Sequence, residues 1–189
     1  MLILVPTEYE RDLLFGDGAP APVMVCGFGL AAAGVNTAHA IATMEAAADG
    51  VALVGAAGTY DESHLPLGSA LVAGAVACDG IGAGGKSPAQ LGFGGEDTLR
   101  LSPPDGPALV SVAQASGDLQ TAAAVASRHP GAAAEEMEGY AVALAAARFG
   151  VPVSIVRGIS NRAGHRDPSQ WRIAEALAAA RARLSEVIG

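Results

Sequence analysis

Short apolar runs that alternate with alanine-rich stretches constrain this chain more than any other feature. Residues 2–5, 23–27, 51–57, 70–78, 108–113 and 151–159 are each too short for a core helix. Several are apolar at every position, as strands covered on both faces are. Between them the spacing predicts helices over 30–48, 118–128, 138–149 and 169–188. Asp118 can cap one of these and Ser169 the last. Alternation of this kind indicates an α/β chain, a three-layer sandwich around a central mixed β-sheet, with residues 1–189 forming one domain.

The composition says how such a sandwich is filled. Hydrophobic residues make up 51% of the chain but aromatics only 4%, so alanine, valine, leucine and glycine must build the core and let helices lie close on the sheet. A chain of 189 residues is long enough to bury about 70% of its unfolded surface. The net charge of −8 argues against nucleic acid as a partner, because phosphates would be repelled. No apolar run reaches the roughly 18 residues a bilayer requires, and Met1-Leu2-Ile3-Leu4-Val5 is too short for a secretory leader. Cys26 and Cys78 sit in strand-like runs without metal-ligand spacing and read as buried free thiols, which fits a reducing compartment. These features favour a soluble, cytoplasmic protein.

Residues 79–106 interrupt the alternation. Gly80, Gly82, Gly84, Gly85, Gly92, Gly94 and Gly95, with Pro88, Pro103 and Pro104, predict a long loop. Such a loop is either a flap beside a site or a variable surface excursion.

Polar chemistry concentrates in two places. The first is Glu135-Glu136-Met137-Glu138-Gly139-Tyr140, where Glu138 shares a helical face with Val142, Ala145 and Phe149. A carboxylate there is costly unless it is paired, or unless it simply favours the first turn of the helix. The second is Arg157-Gly158-Ile159-Ser160-Asn161-Arg162, at the end of the last apolar run, where ligands of α/β sheets gather. Asn161 can be a turn former or an amide that donates to a ligand. Near the N-terminus, Glu8 and Glu10 follow the first run and read either as a solvated helix start or as a site carboxylate. The segments Gly27-Phe28-Gly29 and Gly55-Ala56-Ala57-Gly58 admit close backbone approach to a ligand, while no dinucleotide or triphosphate motif is present. His39, His64, His129 and His165 lack metal spacing, so no metal site is expected.

These stretches, with Gly164-His165-Arg166-Asp167-Pro168-Ser169-Gln170-Trp171, resemble the nucleoside phosphorylases and nucleosidases, and within that family the futalosine hydrolases. The resemblance runs over most of the chain and is strongest in 135–171. It implies that Met137 and Glu138 contact the sugar, that Glu10 holds the attacking water, and that Asn161 meets the base. At that last position relatives acting on 6-aminopurines carry Asp; an amide cannot supply a proton, which favours an oxopurine. The family's serine near the second glycine turn is Ala56 here. Glu136, Gly58, Ser160, Arg166, Asp167 and Trp171 complete the expected substrate-binding set, Trp171 being alternatively a core anchor. Lys86, Arg162 and Arg166 could meet the carboxylate of futalosine.

The reaction implied is hydrolysis of the N-glycosidic bond of futalosine, releasing hypoxanthine and dehypoxanthine futalosine in menaquinone biosynthesis, without a cofactor and in a homo-oligomer. Competing readings are another purine nucleosidase, acting on methylthioadenosine, S-adenosylhomocysteine or aminodeoxyfutalosine, a nucleoside phosphorylase, or a nucleoside-binding protein without activity.

Overall fold

The computed structural model describes residues 1–188, and among these nine strands join one mixed sheet. β3 (Val51–Thr59) is its hub. β1 (Leu2–Val5) runs parallel beside its first half, from Leu2 opposite Val51 to Leu4 opposite Leu53. β8 (Ala132–Glu136) runs antiparallel beside its end, with Glu135 opposite Gly58. β9 (Val153–Arg162) follows the other edge for the full length of β3, in parallel. β1 and β8 thus share one edge and leave residues 54–57 between them without a strand partner on that side. The site described below is built at that gap.

The outer strands extend the sheet. β2 (Val23–Val25) lies parallel to β1, and β4 (Ala70–Val72) antiparallel to β9. Beyond β8 come β7 (Ala108–Ser111) and β5 (Ala75–Cys78), parallel to each other, then the antiparallel β6 (Thr98–Arg100). Side chains alternate across the sheet. Leu2, Leu4, Val51, Leu53 and Ile155 enter a core with Ala33 and Ala40 of α2 (Gly29–Thr43) and Val142 and Ala146 of α4 (Gly139–Phe149). Ile3, Val5, Ala52, Val54 and Val156 enter the opposite core with Leu14 of α1 (Glu8–Phe15) and Leu177, Ala180 and Leu184 of α5 (Ile173–Ile188). Each such Leu, Ile or Val adds about 1.5–3 kcal/mol over leaving it in water. α3 (Leu119–Arg128) covers the far half of the sheet through Val125. This is the mixed central sheet with helices on both sides that the alternation predicts.

The small residues do the expected packing. At Gly158 a Cβ would stand 2.1 Å from the Ala176 carbonyl oxygen, so α5 can lie on β9 only because that side chain is missing.

Several boundaries differ from the sequence reading. β8 and β6 were not expected: the alanine-rich Ala132-Ala133-Ala134 lacks β-branched residues, and β6 is a three-residue edge strand inside the glycine-rich loop. Residues 70–78 form two strands, broken where Gly74 meets the Pro104 and Gly106 carbonyls. The last helix starts at Ile173, and Ser169 belongs to a separate 3-10 turn capped by Asp167. Asp118 does cap α3, accepting from the Thr121 N–H at 2.7 Å. Cys26 is buried and Cys78 half-buried, and both are free. No described helix is long and apolar enough to cross a membrane.

Candidate active site

Arg157 is the centre of the polar arrangement. It lies in the middle of β9 with no solvent exposure, and its register partner on β3 is Gly55. The missing side chain at 55 makes room for the guanidinium: a Cβ there would stand 2.4 Å from Arg157 Nη1 and 2.9 Å from Glu10 Oε1. Arg157 Nη2 donates to Glu136 Oε2, and to Glu138 Oε2 at 3.1 Å. Burial works against this charge, and the carboxylates of Glu136, Glu138 and Glu10 outweigh it, so the guanidinium holds its proton more tightly than usual. Its Nε and Nη1 have no partner in the protein.

Glu10 arrives from the first turn of α1. Thr7 caps that helix by accepting from the Glu10 N–H at 3.2 Å. The Glu10 side chain then turns inward: Oε2 accepts from Thr7 Oγ1 at 2.7 Å and Oε1 from the Ala56 N–H at 3.0 Å. Ala56 sits in the unpaired stretch of β3, so the carboxylate supplies the acceptor that a neighbouring strand would otherwise provide.

Glu136 and Glu138 divide the labour at the start of α4. Glu136 accepts from the Glu138 N–H at 3.0 Å and the Gly139 N–H at 2.7 Å, and also from Ser111 Oγ and Arg157. It is the N-terminal anchor of α4, with its carboxylate committed to protein donors. Glu138 occupies the cap position, one residue before the helix, and its side chain points away from that helix. Oε1 accepts from the Gly29 N–H at 2.9 Å, which ties the start of α2 to the start of α4. Two of the roughly four lone-pair sites of this carboxylate are filled, leaving the rest for a ligand. Burial pushes the Glu138 carboxyl above the usual range, against the pull of Arg157.

Asn161 lies four residues beyond Arg157 on the same strand, beside Ser160, and opposite Gly58. Its Oδ1 accepts from Ser160 Oγ at 2.8 Å and its Nδ2 donates to the Arg162 carbonyl at 2.9 Å. One N–H of that amide remains. A Cβ at Gly58 would come within 3.3 Å of Nδ2, so bare backbone flanks the amide on the β3 side. Glu136 and Glu138 therefore meet at Arg157, with Glu10 facing it across the space left by Gly55, while Asn161 and Ser160 stand at the end of the same strand with local bonds of their own.

The remaining expected residues are spread more widely. Met137 is half-buried against Val110, Val112 and Val125, on the α3 side of the sheet. Trp171 lies half-buried under the Arg166 guanidinium, 5.0 Å from its ring centre, and its Nε1 donates to the His165 carbonyl at 3.1 Å. The Asp167 carboxylate is exposed and turned to Ser169 and Gln170, which hold its carboxyl below the usual range. Two cavities open elsewhere: one of about 750 Å³ beneath residues 79–90 beside Tyr140, and one of about 640 Å³ between β6 and α4. Glu10, Glu138 and Asn161 wall neither, and it is their bonds that mark the site.

Sequence reasoning placed Arg157 and Gly55 within the polar and glycine stretches but gave neither a role of its own. The signal was present: a lone arginine inside Val153-Ser154-Ile155-Val156 and Ile159 must be paired if the run is a buried strand, and only an acidic cluster could pair it.

A central mixed sheet between helices, with the carboxylates of Glu10, Glu136 and Glu138 gathered near one buried arginine, defines an α/β protein of layered architecture. The model of the phosphorylase superfamily matches residues 7–189, and the chain belongs to that family. It is 38% identical over 191 residues to the futalosine hydrolase of Streptomyces coelicolor, covering 86% of this chain and 77% of that protein. Among solved structures it is similar to a Helicobacter pylori 5'-methylthioadenosine nucleosidase variant with 5'-methylthioadenosine in its active site, with a TM-score of 0.83, 17% identity, and 98% and 96% of the two chains covered. The futalosine hydrolase of Helicobacter pylori superposes with a TM-score of 0.81 at 16% identity, over 97% and 94% of the chains. These two structures speak for the fold.

Proposed function

We propose that this chain is an N-glycosyl hydrolase that cleaves futalosine to hypoxanthine and dehypoxanthine futalosine. The observation that carries the reading is that Glu138, paired with the buried Arg157, and Glu10, bound to the Ala56 N–H, both point into the strand gap beside Gly55. The 38% identity to a futalosine hydrolase supports the choice of substrate.

In this reading Glu138 uses its free lone pairs to accept from the ribose hydroxyls and offsets positive charge on the sugar as the bond to the base lengthens. Arg157 keeps Glu138 and Glu136 in place. Glu10, fixed by Ala56 and Thr7, takes the proton of a water that adds to the anomeric carbon. The bonding electron pair leaves with the base, where the spare N–H of Asn161 donates to the purine; its proton comes from water, since an amide has none to give. Met137, Ser160, Gly58, Arg166 and Trp171 belong to the substrate side, with Asp167 as the brace of the turn that carries Trp171. The neighbourhoods of Gly27 and Gly55 offer no Lys or Arg from their own turns, which favours water over phosphate as acceptor. Residues 1–189 act as one unit in this proposal, and two copies or more assemble, as the expectation of a homo-oligomer had it.

Chromatography of products from futalosine, aminodeoxyfutalosine, inosine and methylthioadenosine, with and without phosphate, tests this. Hypoxanthine from futalosine at a rate indifferent to phosphate is the expected result. Adenine from methylthioadenosine in its place, or release that depends on phosphate, would overturn it.

A further inference from the structure

Glu135 is a buried carboxylate that the mechanism does not use. It is 4% exposed and, among the described residues, forms no ion pair. Burying a charge without a cation is costly unless hydrogen bonds surround it. Here three donors do. Oε1 accepts from the Ser116 N–H at 2.8 Å; Oε2 accepts from Ser116 Oγ at 2.7 Å and from Tyr60 Oη at 3.2 Å. Ser116 belongs to the loop between β7 and α3 and is itself buried. Successive residues of β8 thus serve opposite ends of the site: Glu136 anchors α4, and Glu135, on the other face of the sheet, anchors this loop.

The loop closes a ring of contacts around Asn161. It leaves β7 beside the end of β8, where the Val112 N–H donates to the Glu136 carbonyl at 2.8 Å. It is clamped at Ser116 and then passes against the segment that follows Asn161. Gly164 has a φ of +85°, and a Cβ there would stand 2.5 Å from the Asp118 carbonyl. That segment returns to the end of β3 through the Ala163 N–H, which donates to the Thr59 carbonyl at 2.8 Å. Within the ring, Glu135, Gly58 and Asn161 form one row across three adjacent strands. Side chains of such a row share a face, so Gly58 leaves bare backbone between the two polar residues.

We propose that Glu135 is a positioning residue for the base. Through Ser116 and Tyr60 it fixes residues 112–118 as the wall that faces Asn161 across Gly58, and a flat purine ring fits over that glycine. The inference rests on Asn161 being the base contact. It adds that the base site is held from the side opposite the amide by a carboxylate that touches no substrate.

Inhibition by free hypoxanthine and by a base-less iminoribitol, with KM and kcat for futalosine, separates this role from a general loss of structure. Glu135→Ala leaves the Ser116 N–H and the Tyr60 hydroxyl unpaired, and is expected to weaken hypoxanthine and raise KM by about tenfold. Iminoribitol binding and kcat should then change by less than about threefold. Glu135→Gln keeps an acceptor for the Ser116 N–H and should restore hypoxanthine binding to within about threefold of the parent. Equal weakening of both inhibitors, or unchanged hypoxanthine binding, overturns the role of Glu135. Failure of the parent protein to bind hypoxanthine at all overturns the base site together with it. Should Glu135→Ala not fold, Tyr60→Phe decides: selective weakening of hypoxanthine supports the proposal, and no change overturns it.

Discussion

Arg157 Nη2 lies 3.1 Å from Glu138 Oε2, with both side chains almost wholly out of solvent, and this pair joins the middle of β9 to the start of α4. The same nitrogen serves Glu136. Burial pushes the Glu138 carboxyl above its usual range in spite of the arginine, and the neighbouring carboxylates of Glu136 and Glu10 add to that push. A ribose that brings two hydroxyl donors to Glu138 opposes that push, so the geometry that costs the empty fold stability is the geometry that binds ligand.

Replacing Arg157 with Met keeps the volume and removes the cation. Glu136 and Glu138 would then be buried without a cation, an arrangement that costs about 3–5 kcal/mol. Urea unfolding at neutral pH should show a loss of that size, and futalosine cleavage should vanish. A loss below about 1 kcal/mol would mean that the carboxylates are solvated in the native protein.

The raised Glu138 carboxyl carries a pH signature. In the fold it holds its proton more tightly than in the unfolded chain, so its contribution to stability is complete below the ordinary carboxylate value of about 4.3 and is lost as pH climbs through its own raised value. Activity runs the other way, because only the ionised form accepts from two hydroxyls. The acid limb of kcat/KM should therefore lie above the ordinary carboxylate range, and Glu138→Gln should lower kcat by about 10²–10³-fold while the protein stays folded. A limb at the ordinary value, or near-normal turnover of the glutamine variant, would take Glu138 out of the mechanism.

How much of this was legible in the sequence depends on the kind of signal. β1 and the first half of β9, which flank β3, are rich in Leu, Ile and Val, and the α/β class follows from them. β8 was hidden because three alanines and two glutamates carry no strand propensity; tertiary pairing with β3 and β7 makes it a strand. Its register puts Glu135 and Glu136 on opposite faces, a distinction no helical or loop reading could supply. Glu10 was ambiguous because a first-turn glutamate usually faces water; only the gap between β1 and β8 gives it an inward partner. Asn161 was singled out by its place after a buried strand, yet its bonds to Ser160 and Arg162 depend on backbone direction that the sequence does not encode.

Gly55 offers a test of the gap itself. A methyl there must displace Arg157 Nη1, Glu10 Oε1 or the Pro6 ring, which would stand 3.0 Å away. Gly55→Ala is expected to cost about 1–3 kcal/mol by overpacking. It should also lower kcat more than it raises KM, because it moves the water-side carboxylate rather than the base contact. Thermal unfolding with steady-state kinetics checks both; a variant of parental activity would show that the placement of Glu10 and Arg157 does not depend on the space at Gly55.

The last prediction concerns the choice of base. Asn161 Nδ2 faces the Arg162 carbonyl at 2.9 Å, an acceptor that a carboxylate would repel and a carboxylic acid would satisfy. In Asn161→Asp the new group is therefore pushed toward its protonated form, and a protonated acid beside the purine can give the proton that the amide lacks. Aminopurine nucleosides, whose leaving bases need that proton more than an oxopurine does, should gain relative to futalosine. The ratio of aminodeoxyfutalosine to futalosine cleavage, measured in competition as pH falls toward the carboxylate range, should rise in the variant and stay flat in the parent. An unaltered ratio at every pH would mean that residue 161 does not meet the base.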